Sequence, residues 1–106
     1  MDVLERIKEQ VEQNPVIIYM KGSPQFPSCG FSARTVDILK SYGQEFAYVD
    51  ILMDPEIRAN MHQFSDWPTF PQLFLNGELV GGCDICVKLH EDGELKGMVT
   101  AAAQQS

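Results

Sequence analysis

Leu4, Ile7 and Val11 recur at helical spacing, so the pattern predicts an amphipathic helix over residues 2–13. Asn14-Pro15 ends it. Val16-Ile17-Ile18-Tyr19-Met20 is an unbroken apolar run rich in β-branched residues, which predicts a strand buried on both faces. Gly22, Pro24 and Pro27 make residues 21–28 a loop. A second helix begins near Cys29 or Gly30, with Thr35, Ile38, Leu39 and Tyr42 as its buried stripe and Gly43 as its stop. Phe46-Ala47-Tyr48-Val49 reads as the second strand. Asp54 is placed to cap a third helix, with Pro55 in its first turn and Ile57, Met61 and Phe64 on its apolar face. Asn76-Gly77 between Gln72-Leu73-Phe74-Leu75 and Glu78-Leu79-Val80 is the signature of a type I′ hairpin. Gly81-Gly82 closes the hairpin, Asp84 is expected to cap a helix running through Leu89, and Asp92-Gly93 breaks it. A last helix carries Leu95, Met98 and Val99, and residues 101–106 read as its fraying end.

The order is therefore α-β-α-β-α-β-β-α-α. The first strand–helix–strand unit is expected to be a right-handed crossover joining parallel strands. The hairpin adds two antiparallel strands. The expected class is α/β, a thioredoxin-like fold in which a mixed four-stranded sheet is flanked by helices on both faces. No repeat or linker interrupts the chain, so residues 1–106 form a single domain.

Lys and Arg number 8 against 15 Asp and Glu, for a net charge of −7. That balance argues against a nucleic-acid partner, because phosphate contacts need cations. No apolar run approaches the ~20 residues that span a bilayer, and the acidic, amphipathic first residues do not resemble a signal or transit peptide. Three cysteines are too few for a disulfide scaffold, so a reducing, cytoplasmic setting is expected. The five methionines read as core filler.

Cys29 follows a buried strand and opens a helix, where unpaired N–H groups and the helix dipole favour a thiolate. No acidic residue lies between Glu12 and Asp37, and the charges in that interval are Lys21 and Arg34. A lowered thiol pKa follows, and with it a nucleophile or a metal ligand; the plainer possibility is a half-buried structural cysteine. Three residues on, where a dithiol reductase would carry its second cysteine, the chain has Ser32. A hydroxyl donates a hydrogen bond to a thiolate but forms no disulfide. Cys29 must therefore use an external thiol as resolver, or use its sulfur for something other than exchange.

Pro24-Gln25-Phe26-Pro27-Ser28-Cys29-Gly30-Phe31-Ser32 resembles the active-site loop of the monothiol glutaredoxins. Lys21-Gly22, Trp67-Pro68-Thr69-Phe70-Pro71-Gln72 and Gly81-Gly82-Cys83-Asp84 extend the resemblance over essentially the whole chain. It implies a glutathione site. Pro71 would be cis, and the backbone of Phe70 would pair with the tripeptide as an added strand. The N–H groups of Cys83 and Asp84 would hold the γ-glutamyl carboxylate, and the Asp84 side chain the ammonium. Lys21 and Arg58 would hold the glycyl carboxylate; without the resemblance Arg58 reads as a solvated helix charge. Thr69 is a weaker candidate, and Trp67 is expected to pack under the loop.

The resemblance further implies a 2Fe–2S cluster. Such a cluster takes four thiolates, and two copies of Cys29 with two glutathione thiols supply them. The implied assembly is a homodimer bridged by the cluster, with apo iron–sulfur proteins as recipients and BolA-like proteins as partners. Three other readings stay open. Cys29 alone could reduce protein–glutathione mixed disulfides. Cys83-Asp84-Ile85-Cys86 with His90 could bind zinc or form a redox dithiol. The domain could be a bare interaction module.

Overall fold

Val16–Met20 (β1) is buried at all five positions, and its alternation organises the protein. The computed structural model describes residues 2–104. Val16, Ile18 and Met20 face one core layer, shared with Val36 and Leu39, Leu73 and Leu75, Cys86, Leu95 and Val99. Ile17 and Tyr19 face the other, shared with Ile7, Val11, Ile57, Met61 and Phe74. A strand with helices on both sides needs apolar residues at every position, which is why no polar alternation interrupts this run.

The first layer is built from Gly30–Ser41 (α2), Cys83–Glu91 (α4) and Leu95–Gln104 (α5), and the second from Val3–Gln13 (α1) and Pro55–Ser65 (α3). The strands Ala47–Asp50 (β2), Gln72–Leu75 (β3) and Glu78–Gly81 (β4) complete one sheet in the order β2-β1-β3-β4. β1 pairs parallel with β2 and antiparallel with β3, and β3 pairs antiparallel with β4. This is the mixed, helix-covered sheet that the hydrophobic pattern predicts. Asn76 and Gly77 both have positive φ, at 50° and 83°, as a type I′ turn demands. Asp54 caps α3 by accepting from the Ile57 N–H, with Pro55 following.

Several expectations need correction. α4 is capped by Gly82 rather than Asp84, which lies in the first turn, and the helix runs on to Glu91. β2 ends at Asp50 and begins at Ala47. Leu4 is exposed, so the buried stripe of α1 is Ile7 and Val11, with Val3 partly buried beside them. Met53 is 81% exposed and Met98 39%, so of the methionines among the described residues only Met20 and Met61 are core. Helix α5 is continuous to Gln104, and the last two residues of the expected fraying end, Gln105 and Ser106, lie outside the described residues together with Met1. No helix among the described residues is long and apolar enough to cross a membrane.

Candidate functional site

Cys29 is the N-cap of α2, at the C-terminal end of β1, the edge at which open α/β sheets present ligand sites. It has extended backbone geometry, and its thiol is part-exposed. Its pKa lies below the ordinary thiol value. The largest cause is the backbone N–H of Ser32. The N–H of Phe31, the Lys21 ammonium and the Ser32 hydroxyl add smaller effects, and desolvation opposes them. Ser32 itself is fully buried, and its oxygen accepts the Lys21 N–H at 3.1 Å.

The loop before Cys29 is tied at several points. Ser28 N–H donates to the Lys21 carbonyl at 2.9 Å, and Asp50 Oδ1 accepts the Gly22 N–H at 3.0 Å. Lys40 Nζ reaches the Pro24 carbonyl at 2.7 Å. Gly22 has φ +90°, and a Cβ there would stand 2.5 Å from the Phe26 oxygen, so only glycine lets the loop fold back this closely.

Opposite this loop, the Phe70–Pro71 peptide is cis. Gln72 fixes the segment before it. Its buried amide Nε2 donates to the Trp67 carbonyl at 3.0 Å and to the Thr69 carbonyl at 3.1 Å. Gly82 closes the third side: a Cβ there would meet Trp67 Nε1 at 3.1 Å and the Pro71 carbonyl at 3.3 Å. The cap of α4 therefore lies directly against the cis-proline loop.

These elements enclose a groove of about 660 Å³. Cys29, Lys21, Arg58, Phe70, Cys83 and Asp84, drawn from five separate stretches of chain, all line it. Trp67 also lines the groove, besides packing under Gly82, and Thr69 stands beside it. Two further residues escape the sequence pattern. Phe31 lies one turn ahead of Thr35 on the stripe of α2, so periodicity places it in the core, yet it is 62% exposed at the rim of the groove. Ile85 follows Asp84 and is exposed beside it. Gln72 carries no periodic signal beyond being the one polar residue of an apolar strand.

Groove chemistry is a thiol of lowered pKa, two cations and one carboxylate among apolar side chains, a mixed lining of the kind that orients a small polar ligand. The zinc reading fails on geometry. Cys86 is fully buried in the core, His90 Nδ1 is paired with the Tyr42 hydroxyl, and no three His, Cys, Asp or Glu among the described residues are placed to hold a metal ion.

A sequence profile described as glutaredoxin matches residues 16–80. Glutaredoxin 4 of Escherichia coli K12 is 52% identical over 105 residues, covering 97% of this chain and 91% of that protein. Among solved structures, reduced apo GrxS14 from poplar superposes with a TM-score of 0.80 at 43% identity, covering 92% of this chain and 90% of that one. A buckwheat glutaredoxin–glutathione complex superposes with a TM-score of 0.82 at 25% identity, over 93% of this chain and 88% of that one.

Proposed function

The chain belongs to the glutaredoxin family, as one of its monothiol members, and from that premise we propose that it binds glutathione and carries a labile 2Fe–2S cluster as cargo between two copies of itself. The observation that carries this reading is the pairing of one activated thiol, Cys29, with a fully buried Ser32 where a second thiol would stand. A thiol of lowered pKa with no second thiol one turn on in its own helix leaves its partner sulfur to be supplied from outside.

The residues divide the work by charge. Lys21 and Arg58 offer cations to the glycyl carboxylate. The backbone N–H groups of Cys83 and Asp84, unsatisfied at the start of α4, offer donors to the γ-glutamyl carboxylate. Asp84 offers its carboxylate to the ammonium. The backbone of Phe70, which precedes the cis proline and lines the groove, would pair with the extended tripeptide as an added strand. The glutathione thiol is thereby brought beside Cys29. The donor set fits the cargo: one cysteine and one glutathione thiolate per copy give four soft ligands in a dimer. Cys83 and Cys86 are both buried and do not add to that set. A cluster held partly by a non-covalent tripeptide is exchangeable, which suits delivery to apo iron–sulfur proteins in a reducing, cytoplasmic compartment. Exposed Phe31 and Ile85 of the groove, with Phe26 of the preceding loop at 82% exposure, supply apolar surface for such partners, BolA-like proteins included.

Anaerobic reconstitution with iron and sulfide tests the reading. Wild type with glutathione is expected to turn brown and to double in native mass. Cys29→Ser, or wild type without glutathione, stays colourless and monomeric. Equal cluster assembly without glutathione would overturn the assignment. The lowered pKa and open groove also favour a second reading, reduction of protein–glutathione mixed disulfides by Cys29 alone. Turnover of a glutathionylated peptide by the metal-free protein distinguishes it.

A further inference from the structure

The first turn of α4 holds two thiols that the proposed function leaves idle. Cys83 is the first residue of the helix, Cys86 lies one turn on, and both are free and buried. Cys83 nevertheless lines the groove that contains Cys29, while Cys86 is sealed in the core behind it. We infer that Cys83 and Cys86 form a second redox site, a dithiol that exchanges with glutathione disulfide bound in the groove and closes to a disulfide within α4. The inference rests on the groove being a glutathione site.

Three features support it. Gly82 caps the helix without a side chain, so the cap puts no bulk over Cys83 where it lines the groove. The two sulfurs sense each other: the Cys86 thiol is pushed up to about 12 by burial and further by the neighbouring Cys83. A protonated, shielded Cys86 keeps the pair reduced until Cys83 has reacted. The closure is also sterically modest. Helical residues three apart have Cβ atoms about 5–6 Å apart, and a disulfide needs about 3.5–4.5 Å. The turn must tighten by roughly 1–2 Å, and the helical bond that ties it to its cap is Cys86 N–H to the Gly82 carbonyl, 3.0 Å.

The chemistry balances without another reactant. Cys83 Sγ attacks one sulfur of glutathione disulfide, which breaks that S–S bond and expels one glutathione thiolate. Cys86 Sγ then attacks Cys83 Sγ, which breaks the mixed disulfide and expels the second. Each departing thiolate takes up the proton that the attacking thiol gives up. The protein dithiol is oxidised by two electrons, and glutathione disulfide is reduced to two glutathione molecules. Closure displaces the backbone N–H of Cys83, a donor to the γ-glutamyl carboxylate, so the oxidised form binds glutathione more weakly.

The test uses the full chain with Cys29→Ser, which removes the competing thiol. The protein is equilibrated in glutathione buffers of rising disulfide content, quenched in acid, alkylated and fragmented for mass spectrometry. A peptide lighter by two hydrogens, with residues 83 and 86 both unalkylated, is expected, and excess glutathione reverses it. Adding Cys86→Ala stops the reaction at glutathionylated Cys83. Alkylation of Cys86 after unfolding in every buffer, with Cys83 either free or glutathionylated, would overturn the inference. Calorimetric titration of reduced wild type with glutathione separates the two failures. Absence of binding there removes the glutathione reading itself, whereas binding without the disulfide removes only the second redox site.

Discussion

The backbone N–H of Lys21 donates to the hydroxyl oxygen of Ser32 across 3.1 Å, joining the end of β1 to the first turn of α2. The bond uses the oxygen of Ser32 as acceptor and leaves its proton for Cys29. One hydroxyl thus replaces the resolving thiol and pins the reactive loop at once.

Ser32→Ala removes that acceptor and leaves a part-buried N–H unsatisfied, so a loss of about 1–3 kcal/mol is expected in urea unfolding. The hydroxyl is the smallest of the groups lowering the Cys29 pKa. Thiol reactivity in the variant should therefore change little. A large loss of reactivity with unchanged stability would contradict this ordering.

The pH dependence of Cys29 follows from its lowered pKa. The folded state favours the thiolate, so ionisation adds stability above the unfolded thiol value of about 8.5. That gain is lost as pH falls through the folded value. Iodoacetamide alkylation of Cys29 should show its midpoint below that of a free cysteine. Lys21→Gln should raise the midpoint only slightly, because the helix N–H groups outrank the ammonium. A full return to the free-cysteine value would show that the cation dominates.

Gln72 is a positioning residue for the cis-proline segment. Gln72→Leu keeps bulk but removes both donors, leaving the carbonyls of Trp67 and Thr69 without them. A loss of about 1–3 kcal/mol is expected. Glutathione affinity should fall as well, with the pH midpoint of Cys29 unchanged. Calorimetry and alkylation on the same preparation check both halves.

Cys86→Ala opens a small gap in a sealed core and should cost about 1 kcal/mol at neutral pH. In wild type the buried thiol stays neutral up to about 12, whereas the unfolded chain ionises earlier. Its raised pKa gives stability that is complete below the unfolded thiol value and is lost as pH rises through the folded one. The gap between variant and wild type should narrow on going to alkaline pH. Parallel denaturation curves at neutral and alkaline pH measure it.

Much of this protein is written locally. Ile17 and Tyr19 alternate with Ile18 and Met20 in a run that only a strand covered on both faces tolerates. Asn76-Gly77 specifies its own turn, and the strand–loop–helix context of Cys29 predicts an activated thiol because cap chemistry needs only near neighbours in sequence. What the chain could not declare is what distant segments do to one another. Asp84 reads as a cap until Gly82 is seen against Trp67, and Leu4 and Met53 read as core until no helix or strand covers them. Gln72 finds its two carbonyls, and Arg58 its place across from Cys29, only when the sheet order β2-β1-β3-β4 brings α3, the cis-proline segment and α4 together. Period and capping depend on residues within a few positions, whereas a groove is the meeting of five stretches, and tertiary packing decides which of them meet.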